Sequence, residues 1–111
     1  IFDALVNNAD RTAGHLLTDK SGKTFGIDHG VTFNEEDKLR TVLWGWIGQT
    51  LPEEYVVDLE KLKSQITNSE LDELLDQSEI AALQDRIDVL IAENVMPSPS
   101  PHWPAVPWPV F

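Results

Sequence analysis

No cysteine occurs in the 111 residues. That excludes a disulfide framework, cysteine-ligated zinc and a thiol nucleophile, and it makes a cytoplasmic setting the default expectation. There is no positively charged leader and no long apolar run, so neither a signal peptide nor a transmembrane segment is visible. The chain opens on Ile1 rather than Met and is expected to be part of a longer protein. Bases are scarce: 8 Lys and Arg stand against 19 Asp and Glu, a formal net charge of -11. Such a chain repels phosphate backbones and anionic lipid surfaces, so nucleic acid is not an expected partner.

What is present fits one compact domain. A chain of this length buries roughly two thirds of its unfolded surface, and 41% hydrophobic content suits a globular core. The charge is uneven. Residues 1 to 52 hold seven acids and five bases, whereas residues 53 to 95 hold twelve acids and three bases. The plain reading of the second block is the wet faces of helices.

Phe2, Leu5 and Val6 have the spacing of one helical face, and Asn7-Asn8 offers a stop, so a short helix is expected to deliver the loop containing Asp10. Leu16-Leu17 and Thr24 to Ile27 flank Asp19-Lys20-Ser21-Gly22-Lys23, whose residues suit a hairpin turn. Two short antiparallel strands are therefore predicted, with His15 at the start of the first and Asp28 at the end of the second. The returning chain then brings His15 and Asp28 close. Asn34-Glu35-Glu36-Asp37 reads as a helix start, with Leu39, Val42, Leu43 and Trp46 as its apolar face. Pro52-Glu53-Glu54 opens another helix, with Val56, Leu59 and Leu62 (or Val57) inward, ending near Thr67-Asn68. Ser69 with Asp72 starts a short one. Ser78-Glu79 opens a longer one in which Ile80, Leu83, Ile87, Leu90 and Ile91 recur at helical spacing up to Asn94, the pattern of a plain helical core.

Residues 97–111 hold six of the seven prolines and are expected to be extended rather than helical. Trp103, Trp108 and Phe111 would be costly to leave in water, so this Pro/Trp-rich tail is expected to dock on residues 1–96. Its P-x-x-P spacings lack the flanking base that a partner-binding tail would carry.

Asn8-Ala9-Asp10-Arg11 followed by Ile27-Asp28-His29-Gly30 resembles the catalytic and metal-binding loops of the phosphatidylinositol 3- and 4-kinase-like superfamily. The longer run Phe2 to Arg11, with Asp28 to Phe33 and Leu39 to Trp46, is similar to an uncharacterised actinobacterial family related to those lipid kinases. The kinase likeness covers about the first 50 residues, and the family likeness extends through the Pro-Trp-Pro ending. The resemblance implies an α+β fold: the mainly helical C-terminal lobe of a kinase-like domain, with one β-hairpin carrying the two loops. It implies a phosphotransferase that uses ATP and Mg2+ to phosphorylate a hydroxyl substrate. Asp10 would orient and deprotonate the attacking hydroxyl, and Asp28 would hold the metal, a task one carboxylate can anchor beside nucleotide phosphates. Arg11, grouped with Asp10 in the catalytic loop, would brace that loop. Asn8 would order the loop or assist nucleotide binding through its amide.

Three positions depart from the family pattern. His15 stands where an Asn usually serves as second metal ligand, and imidazole is a poorer magnesium ligand than an amide oxygen. It could contact phosphate as imidazolium, favour a softer metal, or pack. Thr12 replaces a common His, and His29 replaces the usual Phe. The Gly-rich phosphate loop and the strand lysine of a kinase are absent, so the chain is expected to be incompetent alone and to need a missing N-terminal lobe of the same protein. Glu35, Glu36 and Asp37 against Lys38 and Arg40 argue against a phosphoinositide substrate, leaving a protein side chain, a small alcohol or no substrate at all open. Two alternatives stand beside this reading: a catalytically dead, kinase-like interaction module, and a hydrolytic metal site built from Asp10, His15, Asp28 and His29, which lacks any specific ligand spacing.

Overall fold

The structure, a computed structural model, describes residues 1–111. It is an α+β arrangement of four helices and one two-stranded antiparallel sheet. In chain order these are α1 (Phe2–Leu5), β1 (Leu16–Thr18), β2 (Thr24–Gly26), α2 (Glu53–Gln65), α3 (Leu71–Leu74) and α4 (Gln77–Glu93). No helix is long and apolar enough to cross a membrane.

The core lies between α2 and α4. Ile80, Leu83, Ile87 and Leu90 recur three and four residues apart, so they fall on one stripe of α4, and all four are buried. Leu83, Ile87 and Leu90 meet Leu51, Leu59 of α2 and Ile66 in one cluster, with Val56, Leu62 and Ile91 packed around it. The end of α4 is set by Asn94, which adopts a left-handed conformation (φ 54°) while its N–H bonds to the Leu90 carbonyl. Its start lies slightly before the Ser78-Glu79 signal. Asp76 is the cap: its carboxylate accepts from the Glu79 N–H at 2.9 Å, and the Glu79 side chain accepts from the Asp76 N–H at 3.2 Å.

The hairpin pairs Leu16 with Gly26, Leu17 with Phe25 and Thr18 with Thr24. Its turn is organised by Asp19, whose Oδ1 accepts from the Ser21 N–H, the Ser21 hydroxyl and the Lys23 N–H. Gly22 supplies the positive φ of 86° that the turn requires.

The helix expected from Asn34 through Trp46 does not form; this stretch has no regular helix. The cause is a competing set of hydrogen bonds. The buried Asn7 amide donates to the carbonyls of Asn34 (2.8 Å) and Glu36 (2.6 Å), and its oxygen accepts from the Lys38 N–H at 3.0 Å. Those backbone groups are unavailable for a helical ladder. Asn34 accepts from the Glu36 N–H two residues on, closing a turn instead of capping a helix. Farther along, the Arg11 N–H bonds to the Arg40 carbonyl, and the Val42 N–H to the Arg11 carbonyl, drawing residues 40–42 out as a bridge beside the Asp10 loop.

The tail has no regular structure and runs against the first half of the chain. The Val110 carbonyl accepts from the Ala13 N–H, and the Ala105 carbonyl accepts from both the Thr41 N–H and the Trp44 indole. Pro107 is fully buried, and the Trp103 ring is covered by Lys38 Nζ at 4.0 Å from its centroid. Trp108 and Phe111, by contrast, are 88% and 86% exposed, because neither ring finds a groove in this chain.

Truncating Ile87 to Ala is expected to destabilise the fold by about 2–5 kcal/mol, measured by urea unfolding. Asp76→Ala is expected to lower the urea midpoint at neutral pH. The cap bonds, first that of the Glu79 N–H and then that of Ser78, hold the Asp76 carboxyl below its ordinary value. The stabilisation is therefore present above the ordinary carboxylate range and is lost as pH falls through the folded-state value, so the two midpoints should converge in acid.

Candidate functional site

The site begins with a buried ion pair. α1 is only one turn long, and Asn7, with φ at 55°, ends it by reversing the chain. The Asn8 N–H then bonds back to the Asp3 carbonyl, and the Asn8 amide donates to the Asp3 carboxylate at 3.2 Å. Arg11 arrives on the same carboxylate from the other side of the loop: Nε lies 3.0 and 3.1 Å from its two oxygens, and Nη2 lies 2.9 Å from Oδ1. The side chains of Arg11 and Asp3 are 2% and 10% exposed. Thr41 adds a longer contact to Asp3 at 3.4 Å.

Arg11 also fixes the hairpin. Its Nη1 donates to the Ile27 carbonyl at 2.8 Å, immediately before Asp28. A Cβ on Gly26 would come within 3.3 Å of the Arg11 guanidinium, a tight contact that would push the two a few tenths of an ångström apart. Arg11 is thus committed to internal contacts, with no face left for a phosphate. Asn8 is likewise fully buried. Its oxygen accepts from the Asp10 N–H at 2.9 Å, so its amide orders the loop and is not available to a nucleotide.

His15 joins the backbone of Asp10 to the side chain of Asp28. His15 Nδ1 lies 2.9 Å from the Asp10 carbonyl oxygen, and its Nε2 lies 3.5 Å from Asp28 Oδ2. A carbonyl can only accept, so Nδ1 carries the proton and donates. In the neutral ring Nε2 then offers its lone pair beside the Asp28 carboxylate, the tautomer in which a metal-binding histidine is usually held. Asp10 is half-buried with its backbone pinned at both ends. Asp28 holds a left-handed conformation (φ 57°), and its side chain is 61% exposed. His29 packs edge-on against Phe2, with ring centroids 5.2 Å apart. Thr12 is buried, and its hydroxyl has no partner.

The donor set fits a divalent cation held partly by something else. One exposed carboxylate beside an imidazole nitrogen makes two ligands, and no group of three or more His, Asp or Glu side chains capable of holding a metal occurs. Magnesium is bound in this way when phosphates and water complete its shell, whereas the nitrogen suits manganese better. None of the five main cavities is lined by Asp10, His15 or Asp28. His15 therefore links the Asp10 backbone to the exposed Asp28 carboxylate outside those cavities. Sequence reading assigned no role to Asp3 and gave Asn7 only that of a helix stop. The available signal was Asp3 alone in the apolar run Phe2 to Val6, where a buried acid requires a partner.

Replacing Asp3 or Arg11 singly with Ala should cost about 3–5 kcal/mol, because each leaves the other charge buried and unpaired. The double replacement should cost less than the sum of the two, as read from a double-mutant cycle in urea.

No family model and no solved structure matches the chain. Over 114 residues it is 40% identical to protein Rv2133c of Mycobacterium tuberculosis (strain ATCC 25618 / H37Rv). That match takes in 100% of this chain and 41% of the relative, so the chain spans less than half the length of the curated protein it resembles.

Proposed function

We propose that the chain is the catalytic-loop half of a kinase-like phosphotransferase related to the phosphatidylinositol 3- and 4-kinases, active only with a further lobe of the same protein. The observation that carries this reading is the position of His15, which contacts the Asp10 loop at 2.9 Å and Asp28 at 3.5 Å and so ties the two sequence-distant loops into one ridge. Asp10 would orient the acceptor hydroxyl and take its proton as the new oxygen–phosphorus bond forms and the bond from the γ-phosphorus to the departing ADP breaks. Asp28 would hold the divalent cation through its exposed carboxylate, and His15, with its proton on Nδ1, would offer Nε2 to it. A bound Mg2+·ATP supplies the transferable phosphoryl group and neutralises charge developing on it. Arg11 keeps Asp28 in register through the Ile27 carbonyl.

The chain carries no Gly-rich loop and no strand lysine to grip the nucleotide, which is the reason for assigning those parts to another lobe. The exposed Trp108 and Phe111 support a second reading, a catalytically dead interaction module that docks a partner through the tail.

Phosphotransfer from γ-labelled ATP by the full-length gene product, assayed against hydroxyl-bearing proteins and small alcohols, separates the two. The phosphotransferase reading expects Asp10→Ala and Asp28→Ala each to cut the rate by about 100-fold or more, and His15→Asn to shift metal preference from manganese toward magnesium. A rate untouched by the two Asp replacements would exclude the assigned chemistry. No transfer and no nucleotide binding by the full-length protein would leave the interaction module.

A further inference from the structure

The Pro/Trp-rich tail holds the Asp10 loop from both flanks. Upstream, the Ala9 carbonyl, immediately before Asp10, accepts from Arg40 Nε at 2.7 Å, and the Arg40 N–H bonds to the Asn8 carbonyl. The Arg40 guanidinium and the Lys38 ammonium lie 5.6 and 4.0 Å from the centroid of the Trp103 ring, so the side chain that holds Ala9 is itself packed by the tail. Downstream, Ala13 opens the short turn that ends at His15, and its N–H donates to the Val110 carbonyl at 2.8 Å. The Phe111 backbone passes 3.4 Å from the place a Gly14 Cβ would take. Between these flanks stands the Asp10 carbonyl, which accepts from His15 Nδ1.

The tail itself is lightly held. Residues 97–111 form no helix or strand, Pro107 is the one buried residue among them, and none of their side chains joins the apolar cluster between α2 and α4. The Ala105 and Val110 carbonyls carry their hydrogen bonds to the rest of the chain. A segment with few buried contacts and sparse backbone bonding opens before the core does. Its seat and the Asp10 loop are nevertheless one structure, because Arg40 and Ala13 serve both.

We propose that residues 101–111 are a releasable strap. Seated, the strap keeps the Asp10 to His15 loop in register with Asp28; lifted, it frees that loop while the helical core stays folded. The balance between the two states sets how often His15 stands against Asp28. The consequence for catalysis rests on the phosphotransferase reading, whereas the strap rests on the contacts of Trp103, Ala105 and Val110 alone.

The test is amide hydrogen exchange of the full chain, read by 15N NMR, in two variants that loosen opposite ends of the strap. Ala13→Pro removes the donor to Val110. Proline suits the first position of that turn, and Thr12 before it is already extended (φ −90°, ψ 166°). Trp103→Ala removes the packing on Arg40. Because the strap lifts as a unit, each variant is expected to speed exchange at both flanks, at the His15 and Arg40 N–H groups and the Trp44 indole, by about tenfold or more. The Leu83 and Ile87 amides of α4 should be unchanged. Faster exchange confined to the neighbours of the substituted residue, an equal loss of protection in α4, or no change at the loop would overturn the proposal. Trp103→Ala decides alone if Ala13→Pro fails to fold. The readout needs neither metal nor nucleotide, so failure of the phosphotransferase reading shows separately, as Mn2+ that leaves residues 26–30 of the unsubstituted chain unbroadened.

Discussion

The buried pair between Asp3 and Arg11 is the contact on which the amino-terminal half depends. Two charges removed from water are tolerated only when each is fully met. Here the carboxylate receives Arg11, Asn8 and Thr41, while the guanidinium also receives the carbonyl that precedes Asp28. One helix turn, one loop, one hairpin and one distant bridge are therefore coupled through this one ion pair. The hairpin itself could not do this. Two strands of three residues with mostly exposed side chains have little stability of their own, and their register relative to the loop comes from Arg11.

The helical half plays a different part. α2 and α4 bury a conventional apolar stripe and leave their acids in water, which accounts for much of the net charge without any special chemistry. α4 also holds the amino-terminal unit in place through Arg86, whose contacts reach the Leu5 and Asn34 carbonyls. Polar links of this kind join the two halves, and the apolar cluster adds to them by taking in Ile1, Leu5 and Phe33.

Periodicity made the helices legible. The stripe from Ile80 to Leu90 and the Pro52 start of α2 follow from local rules, as does the Asp19 to Lys23 turn. The segment after Asn34 shows where such rules stop. Its cap residue, first-turn acids and apolar spacing all favour a helix, yet Asn7, 27 residues earlier, takes the backbone groups that the helix would need. No window along the chain contains that information. The same holds within the candidate site. The convergence of His15 on Asp28 follows from hairpin geometry, whereas the full commitment of Arg11 and Asn8 to internal contacts depends on Asp3, whose role appears only once the chain is folded.

His15 bridging the Asp10 loop and Asp28 is the center of the functional account, so binding of a cation at that ridge is its most direct test. Two-dimensional 15N NMR of the chain titrated with Mn2+ reads proximity residue by residue. The account predicts selective broadening of the amides of residues 10–15 and 26–30, abolished by Asp28→Ala. Broadening confined to the acidic faces of α2 and α4, or unchanged in that variant, would contradict it.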